Sequence, residues 1–385
     1  MKKILYVHHG SADGGAPRSL SFLIDKIPND KYSADFLCMS DREGNSELFQ
    51  NKVDHFYFEH YMTSFNGSTV CDIRGFDEIV QLIKTPITIF NTKRYLKESK
   101  PDIVHINSTC LWPVAKAVKK FDSNIKVICH IREPLVNSYS GKKIRKQCER
   151  YVDGFVAIDR FDAESMNIDF GRIEIIYNFV NFDTYNTKNK SKVLYDELGI
   201  HEDNVILLYL ARLGSFNGAF EMVNASVEYL KSNKRVHLCV VGVEDISDDY
   251  TKKVIDAAQN LQNIHFMPFR KDVPDVIASS DIMIVPFVEP HFARSIIEAA
   301  AMGVPSLASN IGGLQELVVD GETGMLFDYR TFDDFREKLE KLVDDKEYRL
   351  GLGKAAEKFA LENFNADINA KRTYDFYEKV ETKKA

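Results

Sequence analysis

Pro286-Phe-Val-Glu289-Pro-His291-Phe-Ala-Arg294-Ser-Ile-Ile-Glu298-Ala-Ala-Ala-Met-Gly303-Val-Pro305 is the stretch on which the fold turns. It is preceded by an apolar run that ends at Pro286. A loop carries Glu289, a helix starts near Ala293, and Gly303 ends that helix as glycine does. A second apolar run begins at Pro305. Strand, helix and strand in short succession make a βαβ unit, and its strands are parallel.

The alternation extends upstream. Apolar runs of strand length lie at 4–8, 33–39, 103–106, 126–130 and 154–158, and a second series at 205–210, 236–241, 264–267, 282–286 and 305–308. Strands that are apolar throughout belong to parallel sheets covered on both faces. Two series predict two doubly wound domains, and 385 residues suffice for both. The polar, asparagine-rich segment 179–203 is the expected linker. Ligands of open parallel sheets bind beyond the carboxyl ends of the strands, so residues directly after strands are the candidates for function.

Apolar residues make up 44% and charged residues 28%, ample material for two cores. No apolar run approaches bilayer-spanning length. Met1-Lys-Lys followed by Ile4 to Val7 resembles the start of a signal peptide, but the run is short and ends at His8 and His9, so it reads as a first strand. Six cysteines, at 38, 71, 110, 129, 148 and 239, form no C-x-x-C pair and no zinc spacing, and the reducing cytoplasm is the expected compartment. The net charge is −7, carried by the second half. Two basic clusters mark the first half: Lys116, Lys119, Lys120 with Lys126, and Lys142, Lys143, Arg145, Lys146 with Arg150. No nucleic-acid motif accompanies them, so no nucleic-acid partner is expected. They are either solvated helix faces or a peripheral contact with the inner face of a membrane.

After the first strand, Gly14 and Gly15 allow a ligand to approach the backbone, or simply permit a tight turn into a helix. There is no G-x-G-x-x-G, so a dinucleotide site is not supported. His130, with Arg132 and Glu133 behind it, either hydrogen-bonds a sugar hydroxyl or caps a carbonyl. Arg212 follows the strand 205–210, where a guanidinium can fork onto diphosphate oxygens or pair with a surface carboxylate. In the opening stretch, Glu298 lies more than a turn inside the helix among Ile297, Ala299 and Ala300. A carboxylate there needs partners, and two ribose hydroxyls suit it. The N–H groups of Phe292, Ala293, Arg294 and Ser295 would meet a phosphate. Another glycine loop, Gly312-Gly313, leads to Glu316 in a further helix's first turn, and 320–324 reads as a turn.

These residues resemble the family 4 retaining glycosyltransferases (glycosyl transferases group 1) of GT-B fold. The resemblance covers nearly the whole chain. It takes in Gly14-Gly15, the His130 strand end, Ile175-Ile-Tyr-Asn178, the Arg212 loop, Val240-Val-Gly242, 281–286 and, most specifically, Glu289 to Gly324. It implies an α/β architecture of two Rossmann-like doubly wound domains facing a central cleft. The acceptor-binding domain would be 1–182 with a crossover helix at about 364–385, and the nucleotide-sugar domain 183–363. It further implies a nucleotide-diphosphate sugar donor of UDP or GDP type. Glu298 would hold the ribose, Glu289 would lie near the donor sugar and phosphates, Arg212 would clamp the diphosphate, and the base would meet backbone around Phe269 and Arg270. Gly14, Gly15 and His130 would serve the phosphate, sugar and acceptor from the other domain. Glu289, His130 and Arg212 are then the catalytic candidates. The implied reaction is retaining transfer by front-face attack, the departing phosphate helping to deprotonate a saccharide or lipid-linked acceptor in cell-surface polysaccharide biosynthesis. With no Asp-x-Asp in the chain, a metal held by that motif is not expected, nor is another cofactor; Arg212 and helix N-termini would meet the leaving charge.

Two departures from the family pattern matter. Eight residues separate Glu289 from Glu298 where the family has seven, and His291 is the additional one, so either Glu289 is displaced or His291 bulges outward. The family also pairs its arginine with a lysine five residues later, where this chain has Asn217. Arg294, at the phosphate-facing helix start, is the candidate to compensate. Two other readings stand beside the enzyme: a sugar-nucleotide-binding partner subunit with weak catalysis, and a GT-B sugar-nucleotide epimerase.

Overall fold

The computed structural model describes residues 1–12, 14–68 and 75–382. Asp13 in the first loop, Cys71 and the last three positions of the expected crossover helix lie outside the described residues. The chain divides into two compact units, Met1–Asn178 with Ala366–Ala385, and Phe179–Asn365. Each is built on one parallel sheet.

The first unit has seven strands: β1 (Lys2–His8), β2 (Tyr32–Cys38), β3 (His55–Phe58), β4 (Ile103–Ile106), β5 (Lys126–Ile131), β6 (Gly154–Ala157) and β7 (Ile173–Ile175). Their order is β3-β2-β1-β4-β5-β6-β7. The helices that return the chain are α1 (Gly15–Asp25), α2 (Arg42–Phe49), α3 (Phe76–Ser99), α4 (Trp112–Phe121), α5 (Tyr139–Tyr151) and α6 (Arg160–Ser165). The central strands are buried on both faces, with Leu5, Val7, Val104, Ile106, Val127 and Cys129 in one core, which is why they read as unbroken apolar runs.

The second unit opens with α7 (Val193–Leu198). Its sheet comprises β8 (Val205–Leu210), β9 (Val236–Val243), β10 (Ile264–Pro268), β11 (Ile282–Val285), β12 (Ser306–Ser309) and β13 (Gly324–Phe327), in the order β10-β9-β8-β11-β12-β13. Between and after them run α8 (Ala219–Ser232), α9 (Asp249–Ala257), α10 (Val273–Ala278), α11 (Arg294–Ala301), α12 (Leu314–Leu317), α13 (Phe335–Asp344) and α14 (Lys346–Asn363). The last helix, α15 (Ala366–Thr382), belongs to the first unit. There Tyr374 donates to the Leu23 carbonyl at 2.7 Å, and its ring stacks on Tyr32. Among the described residues no helix is long and apolar enough to cross a membrane.

Three strands lie outside the ten expected apolar runs: β3, β7 and β13. All three are sheet edges of three or four residues. An edge strand has one neighbour, and a short one carries little pattern. The turn at 320–324 leads straight into β13.

Candidate active site

In the second sheet the strand order reverses between β8 and β11, which pair directly. The loops after these two strands therefore flank the crevice where open α/β sheets take ligands. The first loop carries Arg212 and Asn217. The Arg212 carbonyl accepts two hydrogen bonds, from Tyr209 Oη at 3.0 Å and from Asn217 Nδ2 at 2.8 Å. Asn217 is itself buried, so it braces the loop from inside while the Arg212 guanidinium stays exposed. That guanidinium meets Glu244, Nε to Oε1, at 3.1 Å. Such a solvent-screened pair is weak, and a multiply charged phosphate would compete with it effectively.

Gly218 joins this loop to the next. Its φ is +67°, and a Cβ there would fall 1.8 Å from the Pro286 carbonyl oxygen. Only glycine allows that approach. Beside it, the Phe216 carbonyl accepts from Val288 N at 3.0 Å and from Glu289 N at 3.4 Å, so the two loops are knitted together. The Glu289 side chain is exposed. His291 stacks on Phe287 with ring centroids 3.9 Å apart at 14°, and meets the Phe216 ring edge-on at 5.6 Å. Burial pushes its imidazole down to about 4, partly offset by the Glu289 carbonyl 2.9 Å from Nδ1. The ring is neutral at pH 7, and Nδ1 is the nitrogen that donates. The additional residue is thus taken up with its ring packed against Phe287 rather than bulging outward.

α11 then starts at Arg294. Its N-cap is Ala293, whose side chain cannot cap. Glu298 is buried one turn on, and its Oε1 accepts from Arg294 Nε at 3.2 Å and Nη2 at 3.1 Å. Arg294 Nη2 also donates to the Phe179 carbonyl at 3.4 Å. Ser295 is buried, while Phe292 is half-buried. Phe269 and Arg270 follow β10, two places from β8. The Phe269 ring is exposed, and Arg270 is held between Asp272 and Glu197, which together raise its already high pKa.

The first sheet reverses between β1 and β4. After β1, Gly14 adopts φ +121° and Gly15 begins α1. A Cβ built on Gly14 meets nothing, so there the need for glycine is conformational. Behind this turn lies a buried polar network. Arg132 donates from Nε and Nη2 to Asn107 Oδ1, at 3.0 and 2.9 Å, and from Nη1 to Asn178 Oδ1 at 2.8 Å. Asn107 Nδ2 approaches His8 Nδ1 at 3.2 Å. His130 is buried, and neither ring nitrogen has a hydrogen-bond partner among the described residues. Burial, then the Arg132 charge, holds its imidazole well below the ordinary range. It is a neutral ring with both polar edges unspent. Asn107 was not among the sequence candidates, although it stands directly after a strand at the switch point and the same rule would have found it. Asn178 closes one of the stretches that carry the family resemblance, although no role was expected of it; Phe216, Phe287 and Glu244 carry no sequence signal of their own.

Among the described residues no group of three or more His, Cys, Asp or Glu is gathered as a metal site would require. The five described cysteines are buried.

Residues 192–359 match the family described as glycosyl transferases group 1, and residues 72–184 match glycosyltransferase family 4. The chain belongs to the family 4 glycosyltransferases. One relative is the spore coat protein SA of Bacillus subtilis, 23% identical over 74% of this chain and 80% of its own. Another is the Escherichia coli UDP-Gal:alpha-D-GlcNAc-diphosphoundecaprenol alpha-1,3-galactosyltransferase, 20% identical over 83% of this chain and 82% of its own. Among solved structures, Anabaena HepE in complex with UDP and glucose aligns over 98% of this chain and 100% of its own, with TM-score 0.78 and 19% identity. That likeness establishes the fold: two Rossmann-like domains of the GT-B type that this family uses.

Proposed function

We propose that this family 4 glycosyltransferase moves a sugar, with retention, from a UDP-linked donor to a saccharide or lipid-linked acceptor in cell-surface polysaccharide synthesis. The observation that carries the reading is the pair of buried Glu298 and half-buried Arg294 in the first turns of a helix whose N-cap lacks a capping side chain, in the same unit as the braced Arg212 loop. A ribose can bond to Glu298, and diphosphate oxygens can meet the first amides of α11 and the Arg212 guanidinium. HepE in complex with UDP-glucose and the UDP-Gal in the E. coli relative's name favour uridine as the base.

In the reaction, the bond from the anomeric carbon to the phosphate oxygen breaks while the acceptor hydroxyl attacks the same face. The departing phosphate takes the acceptor's proton. Charge developing on the diphosphate is met by Arg212, Arg294 and the α11 dipole, which are in place before the reaction starts. Glu289 lies at the sugar end of the donor. Gly14, Gly15 and the neutral His130 supply backbone amides and an imidazole edge to phosphate and sugar hydroxyls.

A thermal-shift panel with UDP, GDP and ADP, followed by turnover of the matching sugar, tests the proposal. UDP should raise the unfolding temperature most; at 100 times its Kd a ligand stabilises by about 2.7 kcal/mol. The product should keep the donor's α configuration by NMR, and EDTA should leave the rate unchanged. Binding without turnover on any acceptor would instead make the chain a sugar-nucleotide-binding subunit.

A further inference from the structure

α3 is amphipathic the wrong way round. Its buried face is Thr85, Thr88, Thr92, Tyr95, Leu96 and Ser99, while Phe76, Ile79, Ile83, Ile87 and Phe90 are 47–78% exposed. The spacing of three, four, four and three residues aligns these five side chains in one stripe along a helix about 36 Å long. A surface helix normally buries such a stripe and exposes its hydroxyls. Here the hydroxyls are satisfied underneath: Thr85 donates to the Gln81 carbonyl at 2.9 Å, Thr92 to the Thr88 carbonyl at 2.7 Å, and Thr88 accepts from Thr63 N at 3.0 Å. The outward orientation is therefore built in.

The neighbours of α3 carry the charge. The crossovers β3 to β4, β4 to β5 and β5 to β6 all run the same way along the sheet, so their helices lie on one face of it. α3 packs on α4, and α4 on α5. Lys119 is tied to Asp153, and Arg145 to the Leu135 and Ser165 carbonyls. Lys116 and Lys120 on α4 come near Lys143 and Arg150 on α5. Lys116 Nζ lies 5.9 Å from the Trp112 ring and 6.0 Å from that of Tyr151, and Lys143 Nζ lies 5.6 Å from exposed Tyr139. Lys120, Arg150 and Lys143 are near enough to Lys116 that their repulsion, after burial, lowers its pKa. In a chain of net charge −7, a positive patch beside an apolar ridge suits a negatively charged, apolar partner.

We propose that the outer face of α3, α4 and α5 docks on an anionic lipid bilayer, α3 lying flat with its Phe–Ile stripe among the acyl chains and the α4–α5 lysines on the headgroups. Interfacial helices use this combination, and the apolar area and the lysines add to one another.

The test is flotation of the full chain with phosphatidylcholine vesicles with and without phosphatidylglycerol. The chain should float with anionic vesicles, not with neutral ones, and added salt should release it. Ile83→Ser/Ile87→Ser/Phe90→Ser and Lys120→Glu/Lys146→Glu/Arg150→Glu should each cut the bound fraction by about tenfold or more. Both sets lie on the surface, so the unfolding temperature and the UDP-induced shift should stay at wild-type values. Equal flotation with neutral vesicles, or wild-type flotation of either variant, overturns the proposal. So does a dimer in light scattering that the stripe variant turns into a monomer, because the face would then belong to a second copy. UDP binding is read separately, so failure here leaves the donor site standing.

Discussion

Glu298 and Arg294 form the sharpest residue-scale test. Glu298→Gln keeps the shape but leaves a weaker acceptor for the ribose and a guanidinium without its carboxylate. UDP affinity should fall by about tenfold or more, and the preference for UDP over its 2′-deoxy analogue should vanish in calorimetry. Arg294→Ala separates two roles. If the guanidinium reaches phosphate, UDP binding weakens while uridine binding does not; if it only orients Glu298, both weaken alike. Asn217 lies where the family carries a lysine, yet its amide holds the Arg212 carbonyl from a buried position. Asn217→Lys should raise kcat if a second cation at the leaving diphosphate is what this chain lacks. Asn217→Ala should cost about 1 kcal/mol in urea unfolding through the lost brace.

At the scale of elements, the site depends on two loops held in one arrangement. Gly218→Ala places a methyl group on the Pro286 carbonyl at a positive φ. The strands after which these loops stand would have to part, or the backbone at 218 would have to change. Roughly 1–3 kcal/mol of stability should go, and turnover should fall further than stability accounts for. His291 is a packing element in the same unit. His291→Ala removes a ring stacked on Phe287 and should lower stability by about 1 kcal/mol while displacing Glu289, which a rise in KM for the donor sugar would report.

For the whole molecule, histidine burial sets the response to acid. Burial lowers His8 and His105 to about 3, His9 to about 4, and His130 well below its ordinary value. The unfolded chain takes up protons below about pH 6.5 that the folded chain refuses, so stability is full above that pH and is lost as pH falls toward 4. Near pH 5 each fully buried ring costs roughly 1–2 kcal/mol. Urea unfolding from pH 7.5 to 5 should show the decline, and His105→Gln should flatten it.

The alternation of apolar runs settled the class of fold, because a strand buried on both faces must be apolar at every position. The block around Glu298 was legible for a related reason: a carboxylate inside an apolar helix must have a partner, and glycines mark where chains approach. The edge strands β3, β7 and β13 were not legible, since half-paired short strands carry no such constraint. Nor was the local sequence able to tell that Asn217 faces inward, that His291 rests on Phe287, or that Asn107 and Asn178 share Arg132 with the end of β5. Those are contacts between residues far apart in the chain. The inversion of α3 is the plainest case. Its sequence spaces isoleucines and phenylalanines as a core-facing helix would, and only its packing against α4 decided that the threonines go inside and the apolar stripe remains on the surface.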